Sequence, residues 1–181
     1  ASEPTPPREA TDQWLYLAQH VGLPTRLLDW TENALLALHF ALPEDEPVVW
    51  MLNPIELNAL SVSESQRSDE FPLTWVCPDL PRINIGFENI RGAWEQDQAG
   101  VDLPVAILPP YVHPRMAAQR SRFTVHGRRK ESLYDLLPPK ILKRYIVDPA
   151  RKPRFQQDLR MLGIQEATAF PDVDGLAKEL R

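Results

Sequence analysis

The sequence predicts an α+β fold: a mixed, mostly antiparallel sheet with helices packed on it, in a single domain. Three observations lead there. Helix-period and strand-length apolar segments alternate irregularly, without the steady strand–helix–strand rhythm of a doubly wound parallel sheet. The chain has 181 residues, a length suited to one domain with a sizeable core. Its composition, 43% hydrophobic and 25% charged, is that of ordinary globular chains.

The elements follow from local chemistry. Residues 1–11 read as a disordered or extended leader, because Pro4, Pro6 and Pro7 deny hydrogen bonds to helix and ladder alike. From Asp12 the pattern turns helical, with Trp14, Leu17, Ala18 and Val21 on one stripe and Gly22 placed to end it. Pro24 biases Leu23 away from helix, so Leu23–Arg26 is a turn or extended, and Leu27 and Leu28 begin a short buried strand. Thr31 reads as the N-cap of a helix whose row is Leu35, Leu38 and Leu42, stopped by Pro43. The unbroken apolar run Val48–Leu52 suits the middle of a sheet. Ile55–Leu60 reads as a short helix. Ile83–Trp94 reads as an amphipathic one, after a loop broken by Pro72, Pro78 and Pro81.

Beyond Pro104 the pattern sharpens. Val105–Leu108 is a buried strand stopped by Pro109 and Pro110. His113-Pro114 opens a short helix running to about Gln119, with proline at its preferred first position. Phe123–Val125 and Ile141–Val147 are strands. Phe155–Leu162 is a helix closed by Gly163, and Val173–Leu180 is the last helix.

Much chemistry is excluded early. No stretch of 18 apolar residues lacks a charge, so no membrane span is expected. One cysteine, Cys77, leaves no internal disulfide and no four-cysteine zinc site; a reducing, cytoplasmic setting is the simplest reading. The four histidines (His20, His39, His113 and His126) have no ligand spacing, and no metal is expected. No Walker loop, glycine-rich dinucleotide fingerprint or Gly-x-Ser-x-Gly elbow is present.

Charge and polar side chains are unevenly placed. Residues 1–110 hold 5 Lys/Arg against 17 Asp/Glu, whereas residues 111–181 hold 15 against 8. The stretch His113–Lys130 contains Arg115, Arg120, Arg122, Arg128, Arg129 and Lys130 and no acid. It is either a solvated face or a surface for a polyanion such as nucleic acid or an acidic protein. The other dense cluster spans Gln19–Thr31, where Gln19, His20, Thr25, Arg26, Asp29 and Thr31 must satisfy one another or face a ligand. Arg26 and Asp29 are the natural pair, guanidinium against carboxylate. Arg115, in a helix first turn, opposes the helix dipole unless an anion or acid lies near it.

Gln19-His20-Val21-Gly22-Leu23-Pro24-Thr25-Arg26-Leu27-Leu28-Asp29-Trp30-Thr31, followed by an Ala/Leu-rich helix, resembles the signature of the FRG domain. So do His113-Pro114-Arg115-Met116 through Gln119, Arg122-Phe123-Thr124-Val125-His126, and the tail Ala169–Leu176. The resemblance spans roughly 12–60 and 104–181 and identifies 12–181 as an FRG-like domain. Its Phe/Tyr-Arg-Gly segment would lie upstream, since Ile90-Arg91-Gly92 is out of place, and Ser121 stands where the family more often has Gly. A more distant similarity is to ADP-ribosyltransferases, through Leu27–Thr31, Ala34–Leu42 and Val48–Leu52. It implies an NAD-using transferase acting on protein or nucleic acid, in bacterial or phage conflict. Thr31 and His20 would then orient NAD, and Arg115 or Arg122 would neutralise its pyrophosphate. Gln119 would touch the nicotinamide ribose, with Gln119 and Thr31 as catalytic candidates. Gln19, Arg26, Asp29 and His126 complete the candidate binding set. The alternative is a non-catalytic module that recognises nucleic acid or an acidic partner through residues 113–130.

Overall fold

The computed structural model describes residues 6–8, 10–61, 102–109, 111, 113–127 and 129–171. The helices expected over Ile83–Trp94 and Val173–Leu180, and the proline-broken loop, lie outside the described residues. In chain order the elements are α1 (Thr11–His20), β1 (Leu27–Thr31), α2 (Ala34–Ala41), β2 (Val48–Leu52), α3 (Pro54–Ser61), β3 (Val105–Ile107), α4 (Pro114–Ala118), β4 (Ser121–Val125), α5 (Leu133–Leu136), β5 (Leu142–Ile146), a 3-10 turn at Pro149–Arg151, α6 (Lys152–Met161) and α7 (Glu166–Ala169). This is an α+β fold, as expected. Its described strands pair antiparallel throughout, in a three-stranded sheet ordered β1-β4-β3 and a separate two-stranded sheet, β2-β5.

Helix α1 buries a different face from the one its apolar spacing predicts. Leu15 and Tyr16 enter the core, and the Tyr16 ring stacks on Phe123 of β4 at 5.5 Å. Trp14 is turned toward the leader, where its indole N–H donates to the Pro7 carbonyl at 2.9 Å. Val21 lies past the last turn and is exposed. The ending itself is as the sequence indicates. Gly22 takes φ +78°, and the Leu23 N–H closes back on the Ala18 carbonyl at 2.9 Å. A Cβ at Gly22 would meet nothing within 4 Å, so Gly22→Ala should cost only the left-handed backbone penalty, about 1 kcal/mol. Denaturant unfolding checks this.

Two other expectations are corrected. Asn33, not Thr31, caps α2: its side chain accepts from the Leu35 N–H at 3.0 Å. Thr31 still belongs to β1, and its hydroxyl serves the next element instead. Among the described residues β2 pairs with β5 alone rather than sitting mid-sheet, and Trp50 and Met51 of that run are exposed. Its apolar side chains instead line a cleft.

The three-stranded sheet carries the site. Strand β4 is its centre, with Leu27 opposite Val125, Asp29 opposite Phe123 and Thr31 opposite Ser121. That register lays the two polar constellations of the sequence side by side. On the far side β3 is held by α3, whose buried Asn58 makes two hydrogen bonds to the Ala106 backbone. Leu15, Tyr16, Leu27, Ile107, Phe123 and Val125 belong to one core cluster against α1; Leu57, Ala106, Leu133, Leu137, Ile141 and Leu142 form a second.

Candidate functional site

A cleft with two lobes opens between the sheets. The narrow lobe, about 230 Å³, is walled by Gln19 and His20 of α1, Arg115 of α4, and Phe170 beyond α7. The wide lobe, about 560 Å³, is lined by Leu28 and Trp30 of β1, Val48 and Trp50 of β2, Tyr134 of α5, and His126. Both lobes share Asp29, Phe40, Gln119 and Ser121. Residues far apart in the chain thus meet because β1 and β4 are neighbours in the sheet.

Asp29 stands at the junction of the lobes, and a relay from the preceding turn fixes its carboxylate. The Leu27 N–H donates to Thr25 Oγ1 at 3.1 Å, and that hydroxyl donates to Gln19 Oε1. Gln19 Nε2 in turn donates to Asp29 Oδ2 at 2.5 Å. Asp29 as a residue opens to the cleft, yet its walls exclude enough water to matter. Burial raises the Asp29 pKa above the ordinary aspartate value, and the Gln19 hydrogen bond works against that rise.

The pairing of Arg26 with Asp29 expected from sequence does not form. Arg26 Nη1 donates to the Gly127 carbonyl at 2.9 Å instead. Residues three apart along extended chain point to opposite faces, which separates the two side chains. Arg26 therefore ties the end of β4 to the start of β1. His126 reaches the wide lobe, and burial lowers its pKa, with the Arg26 charge acting in the same direction; a hydrogen bond to the Arg26 backbone opposes the shift. Its imidazole is neutral at neutral pH.

The candidate catalytic residues brace the site. The Thr31 hydroxyl donates to the Gln119 carbonyl at 2.7 Å and accepts from the Asn33 N–H, pinning the end of α4 to β1. Gln119 Nε2 donates to the Ala169 carbonyl at 3.0 Å, so its amide joins α4 to α7 while the side chain lines both lobes. His20 packs on His113, ring centres 4.1 Å apart, and His113 Nδ1 caps α4 by accepting from the Arg115 N–H. The Arg115 guanidinium lies 4.9 Å over the Phe170 ring, at the edge of the narrow lobe.

Arg122 departs furthest from expectation. It forms an ion pair with Glu32 at 2.8 Å, lies 5.5 Å over the Tyr111 ring, and is not among the residues lining either lobe. Elsewhere in the basic stretch Arg129 pairs with Glu131 at 2.6 Å, which holds the Glu131 carboxyl down at about 2, while Arg120 and Lys130 are exposed. Residues 113–130 are therefore not one face of a single sign.

Sequence reasoning missed four cleft residues. Phe40 and Tyr134 carry no signal in the sequence and Trp50 reads only as part of the apolar run Val48–Leu52, since spacing cannot separate a cavity wall from a core. Phe170 was visible only as part of the tail. It meets Phe40 edge-on at 5.8 Å and closes the narrow lobe. Among the described residues no group of three or more His, Cys, Asp or Glu side chains could hold a metal, and no helix is long and apolar enough to cross a membrane.

Residues 1–48 match the family model for the FRG domain, a stretch that includes α1, β1 and α2. The Gln19–Thr31 signature lies inside it. No curated protein and no solved structure matches the chain.

Proposed function

We propose that the cleft binds NAD and that the domain is an ADP-ribosyltransferase-like enzyme acting on protein or nucleic acid. The observation that carries this reading is the meeting of the Gln19–Thr31 and His113–His126 segments on one two-lobed cleft, with a carboxyl at its junction. In the transfer, the bond between ribose C1′ and the nicotinamide nitrogen breaks, and nicotinamide leaves with the bonding pair. An acceptor nucleophile bonds to C1′ and gives up its proton.

Each cleft residue has a part suited to its place. The Asp29 carboxylate faces the positive charge that grows on the ribose, where a fixed charge in a water-poor recess acts most strongly. Arg115, whose guanidinium lies over the Phe170 ring, borders the narrow lobe as the cation for a pyrophosphate. Gln119 and Thr31 hold the wall against which the ribose rests, as positioning residues. Phe40, Phe170 and Trp30 offer flat surfaces for rings. Recognition through residues 113–130 draws less support, because Arg122 and Arg129 already pair with carboxylates of the chain.

Trp30 and Trp50 line the cleft and report its occupancy. Titration of the chain with NAD is expected to quench tryptophan fluorescence saturably, with nicotinamide released on incubation. Neither quenching nor release at millimolar NAD would end this reading.

A further inference from the structure

We infer that the outer lip of the wide lobe is a binding site for single-stranded nucleic acid, so that the acceptor in the transferase reading above, on which this inference rests, is a nucleic acid. The lip is built from three side chains on different elements. Trp50 of β2 and Arg144 of β5 are register partners, which places both on one face of the two-stranded sheet. Tyr134 of α5 meets Trp50 edge-on at 5.4 Å, and the Arg144 guanidinium lies 5.6 Å over the Tyr134 ring.

All three are open to water: Trp50 is 36% exposed, Tyr134 is 59% exposed, and Arg144 is exposed. Neither strand of this sheet contains an acid, and Lys143 and Tyr145 flank Arg144 in sequence. No carboxylate among the described residues pairs with Arg144.

Flat π-faces beside an uncompensated guanidinium are what unstacked bases and their phosphates require. An acidic peptide would use Arg144 but leave the rings of Trp50 and Tyr134 in water. A duplex keeps its base faces inside the stack, where these rings cannot reach them. Trp50 and Tyr134 also line the wide lobe, which continues inward to Asp29, Ser132 and His126. A splayed base held at the lip therefore points toward the carboxyl that the transferase reading uses.

The test needs no NAD. A labelled mixed-sequence oligonucleotide is titrated with the full chain at several salt concentrations and followed by anisotropy, with the matching duplex and a poly-glutamate peptide as competitors. The single strand is expected to bind at least about tenfold tighter than the duplex and to resist poly-glutamate. Tyr134→Ala should weaken binding about tenfold while Tyr134→Phe retains it. Arg144→Gln should weaken binding and reduce the salt slope by about one. Melting curves confirm that these surface variants are folded. Absence of binding at low salt, equal displacement by poly-glutamate, or affinities indifferent to Tyr134→Ala and Arg144→Gln would overturn the site. Binding at the lip without nicotinamide release supports the site and counts against the transferase reading alone.

Discussion

Asn58→Ala is expected to lower the unfolding free energy by about 3 kcal/mol or more, seen as a drop of about 10 °C in melting temperature. Asn58 is 0% exposed and sits on α3 against the outer edge of β3. Its Nδ2 donates to the Ala106 carbonyl at 2.9 Å and its Oδ1 accepts from the Ala106 N–H at 2.8 Å. One side chain thus makes the pair of bonds that a neighbouring strand would make. Alanine leaves both Ala106 groups buried and without partners, and each such group costs about 1–3 kcal/mol. Asn58→Asp separates the two bonds. A carboxylate still accepts from the N–H but repels the carbonyl, so only the protonated acid fits. Its folded pKa would be raised, and stability present at about pH 4 would be lost as pH rises toward about pH 7. A melting series that finds Asn58→Ala within about 0.5 kcal/mol of the parent would show that β3 needs no such edge.

Asn58 also marks the limit of what the sequence makes legible. Short segments announced themselves by punctuation: Gly22 after α1, Pro114 at the start of α4, Pro104 and Pro109 around β3. These are backbone effects, local by nature, and a sequence displays them. Partners across the fold are not local. The pairing of β1 with β4 joins Leu27 to Val125, and nothing in either strand specifies the other. A single asparagine in a short helix gives no hint that it completes a sheet edge.

The candidate site divides along the same line. Its polar density was readable, because six hydrogen-bonding side chains between Gln19 and Thr31 must be satisfied somewhere. Their partners were not readable. Arg26 and Asp29 look paired in one dimension and diverge in three, because extended chain alternates its faces. Thr31 precedes a helix and looks like a cap, yet the register with Ser121 turns its hydroxyl toward Gln119. Basic residues from the second half meet acids of the first, as Arg122 meets Glu32, so the charge split describes internal complementarity at that point rather than a uniform face. Phe40 and Phe170 are apolar residues whose separation in the chain conceals that they bound one cavity.

Asp29→Asn is expected to cut nicotinamide release by about a hundredfold or more while leaving the melting temperature at neutral pH unchanged or higher. The amide of the substitute keeps an oxygen for Gln19 Nε2, so the relay through Thr25 survives and only the charge goes. The sign follows from the raised pKa. A carboxyl that holds its proton more tightly in the folded chain than in the unfolded one favours folding most at low pH. That contribution fades as pH rises from the ordinary aspartate value through the raised one, and above it the ionised group is held at a net cost. The parent should therefore lose stability across this window, and Asp29→Asn should remove that part of the slope. Asp29→Ala, which also strips Gln19 of its acceptor, should lose activity and stability together. A lower melting temperature for Asp29→Asn with parent-like nicotinamide release would make Asp29 a structural carboxyl. Loss of release without loss of stability is the pattern of a charge kept for the ligand, because burial makes its ionisation costly and the Gln19 hydrogen bond only partly offsets that.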